Sequence, residues 1–266
     1  MENIKFRFGA NVETIKNGND LIYLESYAYF NENSEVAQRA REMFDENGNV
    51  KEVDEYLKEQ RRVILAEKYR KQANINKKFS KRTFENYNVE NAMQKNAKEK
   101  ALNYAQNIAK NIEDGKNILF IGQGSVGTGK THLACAIANN ILDNGFPVKV
   151  LNVISLVDEL KSFDDSKRKE LRNVDVLLID DLGKENGTVW LCSEIYGIIN
   201  ARYENELPTI ITIEGGLSDL ENNYVIDVDG RKYNKGRSMV SRLLENCVTV
   251  KMQGDDYRLT KGAICK

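Results

Sequence analysis

The features that this chain lacks exclude several classes of function. Its 266 residues include no apolar run near the ~20 residues that cross a bilayer. The stretch from Met1 to Phe6 has no apolar signal-peptide core, so we expect a cytoplasmic protein without membrane contact. The formal net charge is −1, which excludes a strongly basic nucleic-acid binder; useful DNA affinity would need an oligomer or a partner.

Cysteine and histidine are scarce as well. The four cysteines, at positions 135, 192, 247 and 265, show no paired spacing. This spacing predicts neither a zinc site nor a disulfide framework. The single histidine, His132, is expected to pack or cap locally rather than to catalyse.

The strongest motif present is a phosphate-binding loop. An apolar run, 117–121, enters it and an alanine-rich run, 133–138, leaves it. Its glycines let backbone N–H groups curl around phosphates, Lys130 reaches the β and γ oxygens, and the Thr131 hydroxyl can ligate Mg²⁺. The helix that starts there adds its positive dipole end. The predicted ATP-binding residues are Gly124, Ser125, Val126, Gly127, Thr128, Gly129, Lys130, Thr131 and His132.

A second nucleotide signature is the apolar run 174–179, which ends in Asp180 and Asp181. A buried parallel strand presents such acids at its carboxyl end. Asp180 is therefore the candidate Mg²⁺-side acid. Asp181 stands where ring-type ATPases commonly carry glutamate, and its shorter side chain predicts slow hydrolysis.

The order of elements predicts an α/β fold. Strand patterns at 117–121, 147–151, 174–181, 208–212 and 247–252 alternate with helical patterns, so the sheet should be parallel with helices on both faces. The N-terminal third has helical patterns at 34–44 and 50–74, broken at Gly48. We therefore divide the chain into a mainly helical partner-binding domain (1–75), a linker and entry segment (76–92) and an ATPase domain (93–266).

Several ordered motifs carry a family resemblance. They are Gly127 to Leu133, Leu177 to Gly183, Ile198 to Tyr203, Leu207 to Thr212, Ser241 to Glu245 and Asp256 to Arg258. From about residue 79 to 258 the chain resembles the DnaC/DnaI helicase-loader group of AAA+ ATPases, especially versions carried by phages of Gram-positive bacteria. This group is related to the IstB-like ATP-binding proteins.

The resemblance implies further roles. The fold would be a five-stranded AAA+ core without a full C-terminal lid. Partners would be a DnaB-like replicative helicase, single-stranded DNA and further copies of the chain that share ATP sites. Asp181 would orient the attacking water and Arg242 would be the arginine finger, with Arg237 as the alternative. From the residues alone, Arg242 reads as an exposed helix cation that balances Glu245. Arg258 would be a second ATP-sensing cation.

Two stretches are candidates for DNA contact. The first lies where the loader and initiator clade inserts a helical element, and it mixes cations with one aromatic, as a single-strand site requires. Its residues are Lys161, Phe163, Lys167 and Arg168, followed by Lys169 and Arg172. Asp164, Asp165 and Glu170 dilute this charge.

The second candidate stretch for DNA contact, Lys68 to Arg82, contains no acid, but a solvated helix face or linker explains such a run more often. Phe79, Phe84 and Tyr87 are expected to pack on the core.

The chain departs from the family pattern after the fourth strand. Thr212 is followed by Ile213 and Glu214, where the group has a polar pair that ends in a sensing amide. Glu214 cannot replace a neutral donor, since like charges repel beside a γ-phosphate. An insertion at 224–235 predicts a small β-hairpin. Three functions stay open: a helicase loader, a transposition helper ATPase, and an adaptor that binds nucleotide without hydrolysing it.

Overall fold

The computed structural model describes residues 15–17, 20–22, 35–47, 50–73, 75–123, 126–185, 187–229 and 231–260. The chain divides into two units, Met1–Lys68 with Asp143–Gly145, and Tyr69–Leu142 with Phe146–Lys266. No helix among the described residues has both the length and the apolar character needed to cross a bilayer.

The elements that begin in the first unit are two short strands and two helices. They are β1 (Ile15–Asn17), β2 (Asp20–Ile22), α1 (Glu35–Asn47) and α2 (Val50–Ala73). Val53 and Leu57, one helical turn apart on α2, are both fully buried. The two predicted helices are confirmed. The antiparallel β1–β2 pair was not predicted, although Asn17-Gly18 is a hairpin signal.

The second unit is built on a five-stranded parallel sheet in the order β4-β5-β6-β3-β9. Its strands are β3 (Asn117–Ile121), β4 (Val148–Asn152), β5 (Val176–Asp180), β6 (Thr209–Ile213) and β9 (Cys247–Lys251). Its helices are α3 (Ala92–Gln106), α4 (Ile108–Glu113), α5 (Lys130–Asp143), α6 (Val153–Lys161), α7 (Asp165–Asn173), α8 (Val189–Glu204), α9 (Leu217–Asn223), α10 (Lys235–Glu245) and α11 (Tyr257–Thr260). The predicted α/β class and all five predicted strands are confirmed.

The strands bury both of their faces, as in other parallel sheets covered by helices. Alternate residues of β3 point to opposite sides: Phe120 lies in a core with α3 and α5, and Leu119 lies in a core with α6, α8 and α10. Phe84 and Tyr87 of the entry segment belong to the first of these cores, and Phe79 packs against it. The prediction that these aromatics pack on the core is confirmed.

Arg202 is the largest fully buried side chain of the described residues, and it joins three elements. It donates to the carbonyls of Leu171 (3.2 Å), Val174 (2.8 Å), Asp175 (3.3 Å) and Pro208 (2.6 Å) and to Thr209 Oγ1 (3.1 Å). These acceptors lie at the end of α7 and at the starts of β5 and β6. Arg202 therefore fixes the amino-terminal edge of the sheet.

The insertion after α9 forms the hairpin that the sequence predicts. Its strands, β7 (Val225–Val228) and β8 (Arg231–Asn234), pair antiparallel. The described residues that follow β9, 252–260, contain only the four-residue helix α11.

Candidate nucleotide site

The phosphate-binding loop connects β3 to α5 at the carboxyl end of the sheet. Gly127 and Gly129 have φ values of 66° and 96°, which side chains rarely adopt. A Cβ on Gly129 would also lie 2.7 Å from a ring carbon of Tyr87. The loop therefore depends on these two glycines. Gly124 and Ser125, the first two predicted loop residues, lie outside the described residues.

Lys130 begins α5 and is almost fully buried, at 6% exposure. A Cβ added at Gly122 would lie 2.5 Å from both Lys130 Nζ and the carbonyl oxygen of Glu214. This places the ammonium group beside the ends of β3 and β6. Burial lowers the pKa of Lys130, against the attraction of Asp181 and Glu214. The charge faces a region where a phosphate would stabilise it.

Two hydroxyl groups donate to Asp180, the last residue of β5. Thr131 Oγ1 donates to Asp180 Oδ1 at 2.8 Å, and Thr212 Oγ1 donates to the same oxygen at 2.7 Å. Burial raises the pKa of Asp180, and the two hydroxyl bonds oppose the rise. The structure thus brings together the two predicted Mg²⁺ ligands, which the sequence separates by two strands.

This donor set fits Mg²⁺. A magnesium ion in a nucleotide site takes one or two protein oxygens and completes its shell with phosphates and water. Thr131 and Asp180 supply a hydroxyl and a carboxylate 2.8 Å apart. Among the residues that the structure describes, no cluster of three or more His, Cys, Asp and Glu side chains can hold a metal ion.

Asp181 is held in an uncommon backbone conformation, with φ at 61°. Its N–H donates to Thr212 Oγ1 at 2.8 Å, so one hydroxyl fixes both Asp180 and Asp181. Its carboxylate lies 3.2 Å from Lys184 Nζ, and Lys184 also forms an ion pair with Glu214. Sequence reasoning identified Glu214 as a repulsive charge and missed the lysine that pairs with it.

These groups line a cavity of about 520 Å³, a volume typical of a small-molecule site. Its walls come from the phosphate loop, the ends of β5 and β6 and the entry segment, and they include Phe79, Arg82, Asn86, Tyr87 and Asn88. Two buried hydroxyls on these walls, Thr128 Oγ1 and Tyr87 OH, have no hydrogen-bond partner among the described residues. Because buried polar groups are nearly always bonded, these two hydroxyls are available to bond a ligand in the cavity.

His132 anchors the entry segment to α5. Its Nε2 lies 2.9 Å from the Thr83 carbonyl and therefore donates, while Nδ1 accepts from Arg82 at 3.1 Å. Its ring packs edge-on against Tyr87, with centroids 5.1 Å apart. Burial lowers the pKa of His132, and Arg82 adds to this effect. The prediction of local packing is confirmed.

The residues after β9 also reach the phosphate loop. The N–H of Tyr257 donates to the Gly127 carbonyl at 3.3 Å, and Asn88 Nδ2 donates to Tyr257 OH at 2.8 Å. The entry segment and the residues after β9 therefore meet beside the loop. The side chain of Arg258 lies outside the described residues, so its sensing role stays a prediction.

Arg242 lies on α10 near the amino-terminal ends of the strands, opposite the end that carries the phosphate loop. It stacks on Tyr196 and Tyr203, each 5.5 Å away, and donates to the Ser238 carbonyl at 3.1 Å. It lines a separate cavity of about 360 Å³ together with Asn117 and Thr209, the first residues of β3 and β6. The alternative finger, Arg237, is exposed near the start of α10.

The DNA candidates between β4 and β5 lie on α6, on α7 and between them. Phe163 is 70% exposed, and Arg168 stacks on its ring at 5.4 Å. Arg168 also pairs with Asp165 at 3.3 Å and Glu194 at 3.5 Å, so its charge is shared with acids of the same chain. Trp190 lies 6.0 Å from Phe163, a contact that sequence reasoning missed. Lys161 is exposed and Lys167 is half-buried.

The basic stretch 68–82 is partly used for packing. Arg70 Nη1 lies 3.5 Å from Asn139 Oδ1 on α5, and Asn139 Nδ2 donates to the Phe79 and Arg82 carbonyls at 3.0 and 2.9 Å. These bonds favour a structural role for this stretch over a DNA track.

Known proteins resemble this chain in sequence. It is 33% identical over 145 residues to the replicative helicase loader DnaC of Escherichia coli K12, across 52% of this chain and 57% of DnaC. It is 31% identical over 185 residues to DnaC of Buchnera aphidicola subsp. Baizongia pistaciae, across 66% of this chain and 69% of that protein. It is 28% identical over 153 residues to the replicative helicase loader DnaI of Bacillus subtilis, across 55% of this chain and 49% of DnaI. The chain thus spans little more than half the length of the E. coli relative.

Solved structures agree with this result. The DnaC helicase loader superposes with a TM-score of 0.56 at 28% identity, covering 66% of this chain and 99% of DnaC. The replication initiator DnaA bound to AMPPCP and single-stranded DNA gives 0.51 at 26% identity, covering 68% of this chain and 52% of DnaA. DnaI gives 0.57 at 22% identity, covering 70% of this chain and 95% of that one, which supports the fold alone.

These comparisons confirm the AAA+ fold and the resemblance to the DnaC/DnaI loaders. The resemblance to phage versions stays a prediction. A family model described as IstB-like ATP binding protein matches residues 24–263. The chain carries a P-loop nucleotide site and belongs to the IstB-like ATP-binding protein family.

Proposed function

We propose that this protein is an ATP-dependent loader of a hexameric, DnaB-like replicative helicase. The observation that carries the proposal is the nucleotide cavity, in which Lys130, Thr131 and Asp180 meet in a chain whose relatives are named helicase loaders. Nucleotide binding and hydrolysis would act as the switch between holding and releasing the helicase.

Each residue of the site has a role in phosphoryl transfer. Lys130 and the loop N–H groups bind the β and γ phosphates, and Thr131 and Asp180 hold Mg²⁺, which offsets the phosphate charge when bound. Asp181 orients the attacking water. Because the protein contributes only positioning and charge, no covalent intermediate is needed.

Arg242 would act on the ATP site of a neighbouring copy. It lies at the amino-terminal edge of the sheet, whereas the phosphate loop follows the carboxyl end of β3. A guanidinium stacked between two tyrosines is held in place, and its Nε is buried without a bond to any described residue. Such a group can serve a shared site in a homo-oligomer.

We assign helicase binding to the N-terminal domain, residues 1–75. Single-stranded DNA would contact Lys161, Phe163, Lys167 and Arg168, where the exposed ring of Phe163 supplies a stacking surface. Because Arg168 is already paired with acids, we expect weak binding by one copy and tighter binding by an oligomer.

The test is ATP turnover by the full chain, alone and with single-stranded DNA and a DnaB-like helicase. We expect the two partners to stimulate turnover. Lys130→Ala should abolish ATP binding. Arg242→Ala should keep ATP affinity and lower turnover about 1,000-fold, the scale of an arginine finger. Arg237→Ala tests the alternative finger: retained turnover in this variant assigns the role to Arg242, and lost turnover assigns it to Arg237.

Mixing the two inactive variants tests the shared site. Lys130→Ala retains the finger and Arg242→Ala retains the loop, so a mixture should recover part of the turnover through joint sites. No recovery would contradict a shared site. Failure to capture the helicase at micromolar concentration would contradict the loader function itself.

A second candidate is an adaptor that binds nucleotide without hydrolysing it. The ion pair between Lys184 and Asp181, at 3.2 Å, favours it because it occupies the carboxylate that should orient water. Tight ATP binding with no turnover under any of these conditions would support this function instead.

A further inference from the structure

Lys184 is a further cation at the nucleotide cavity, and it lies outside every motif that the sequence analysis identified. It lies in the loop after β5, and its ammonium group forms ion pairs with Asp181 and Glu214. All three residues line the same cavity as Lys130. Their side chains are only partly buried, with exposures of 45% for Lys184, 35% for Asp181 and 32% for Glu214. The ammonium group is therefore accessible from the cavity.

The position of Lys184 relative to Lys130 follows from Glu214. The backbone oxygen of Glu214 and Lys130 Nζ both lie 2.5 Å from the position that a Cβ on Gly122 would occupy. The carboxylate of Glu214 forms an ion pair with Lys184. The two lysines thus flank one residue, and the charge of Lys184 contributes to the lowered pKa of Lys130. A phosphate chain bound by Lys130 would lie close to Lys184.

The carboxylates around Lys184 show why the site needs it. Asp181 and Glu214 together carry more negative charge than Lys184 neutralises, and a terminal phosphate would add to the repulsion. Ile213 and Glu214 follow Thr212 at the end of β6, and neither side chain carries a neutral hydrogen-bond donor for such a phosphate. Lysine has three donors on a flexible stem, so it can bind a phosphate oxygen while it keeps a carboxylate partner.

We propose that Lys184 detects the terminal phosphate of the bound nucleotide and thereby distinguishes ATP from ADP. The inference rests on the proposed ATP site. Without a terminal phosphate, Lys184 stays paired with Asp181 and Glu214. With ATP, it moves its bond from Asp181 to the γ-phosphate, because exposed ion pairs are weak and exchange easily. Asp181 is then released to orient water, so the same movement reports the nucleotide and frees the carboxylate.

The test compares the affinities of a non-hydrolysable ATP analogue and of ADP, both measured by displacement of a fluorescent nucleotide at fixed Mg²⁺. Lys184→Met should weaken the ATP analogue about tenfold, the value of one charge-assisted bond, and change ADP less than about twofold. Lys184→Arg keeps the charge and should retain most of the preference. Glu214→Gln removes a competing carboxylate, so it should strengthen binding of the ATP analogue.

Lys149 provides the matched control. It also pairs with two carboxylates, Glu159 at 3.2 Å and Glu170 at 3.0 Å, but it does not line the nucleotide cavity. Lys149→Met should leave both affinities unchanged. If Lys184→Met weakens both nucleotides equally, or neither, the inference is overturned while the ATP site stands. If the wild-type chain binds neither nucleotide, the proposed function fails and the inference with it.

Discussion

The two edges of the parallel sheet both bury charged side chains, but they use them differently. At the amino-terminal edge Arg202 is 1% exposed and all five of its donors find acceptors within the chain. At the carboxyl edge Asp180 is 3% exposed and bonded through one oxygen, while Thr128 Oγ1 and Tyr87 OH stay without partners among the described residues.

The difference teaches which buried charges serve stability and which serve binding. A guanidinium whose donors are all satisfied has nothing left for a ligand, so Arg202 holds the sheet together. Asp180 lines a cavity and receives the hydroxyl bonds of Thr131 and Thr212 on Oδ1, so its second oxygen keeps bonding capacity for a ligand. At these two edges, the presence of unused bonding capacity beside a cavity therefore separates the binding group from the structural one, although both are buried.

The largest expected effect is at Arg202. Arg202→Met removes the donors of four backbone carbonyls and one hydroxyl, and should lower the free energy of unfolding by about 4 kcal/mol. Urea unfolding followed by the fluorescence of the single tryptophan, Trp190, measures it. The exposed Arg237→Met is the control, with a change below about 0.5 kcal/mol.

Lys130→Met makes the corresponding test at the carboxyl edge of the sheet, where we expect the buried charge to serve binding rather than stability. Because burial lowers the pKa of Lys130, its charged form is less favourable in the folded chain than in the unfolded chain, so removing the charge should not destabilise the nucleotide-free protein. We expect ATP binding to be lost and the free energy of unfolding to change by less than about 1 kcal/mol. A loss as large as that of Arg202→Met would break the distinction between the two edges.

Thr212→Val tests the bonds that orient the two acids. Thr212 donates to Asp180 at 2.7 Å and accepts from the Asp181 N–H at 2.8 Å. Losing both should lower the free energy of unfolding by about 2 kcal/mol and turnover about tenfold, with a smaller effect on ATP affinity. Thr249→Val, the same change on the edge strand β9, should alter neither. Unchanged turnover in Thr212→Val would show that Asp181 needs no such support.

The phosphate loop and the five strands could be predicted because each signal is local. The phosphate-loop motif is one short continuous segment that ends in Lys130 and Thr131. Strand β5 is likewise one apolar run that ends in Asp180. The Thr131–Asp180 contact then followed from parallel strands, whose carboxyl ends meet at one edge of the sheet.

What the sequence left open depends on contacts between distant loops. Lys184 and Glu214 follow different strands, and either residue alone reads as a surface charge. Arg202 lies on α8, where a polar residue would be expected to face solvent. Its acceptors, such as the carbonyls of Val174 and Pro208, come from the segments that precede β5 and β6, so they become apparent only when α8 is packed against the sheet. Such pairings have no local pattern, because they arise only when the sheet has formed.

The smallest expected effect concerns pH. His132 is the single histidine of the chain, and burial, aided by Arg82 and Lys98, lowers its pKa in the folded state. Between that lowered value and about 6.5, the ordinary pKa of histidine, the unfolded chain binds more protons than the folded one. Stability contributed by neutral His132 is therefore fully present above about pH 6.5 and is lost as the pH falls towards the folded value.

His132→Gln keeps a donor for the Thr83 carbonyl and an acceptor for Arg82, but it does not titrate. The difference in unfolding free energy between the wild type and this variant should shrink or reverse between pH 7 and pH 5, by less than about 1 kcal/mol. NMR titration of the one imidazole gives the folded pKa without assignment. A folded pKa at or above 6.5 would contradict the expected sign, because it would show that the bond to the Thr83 carbonyl outweighs burial.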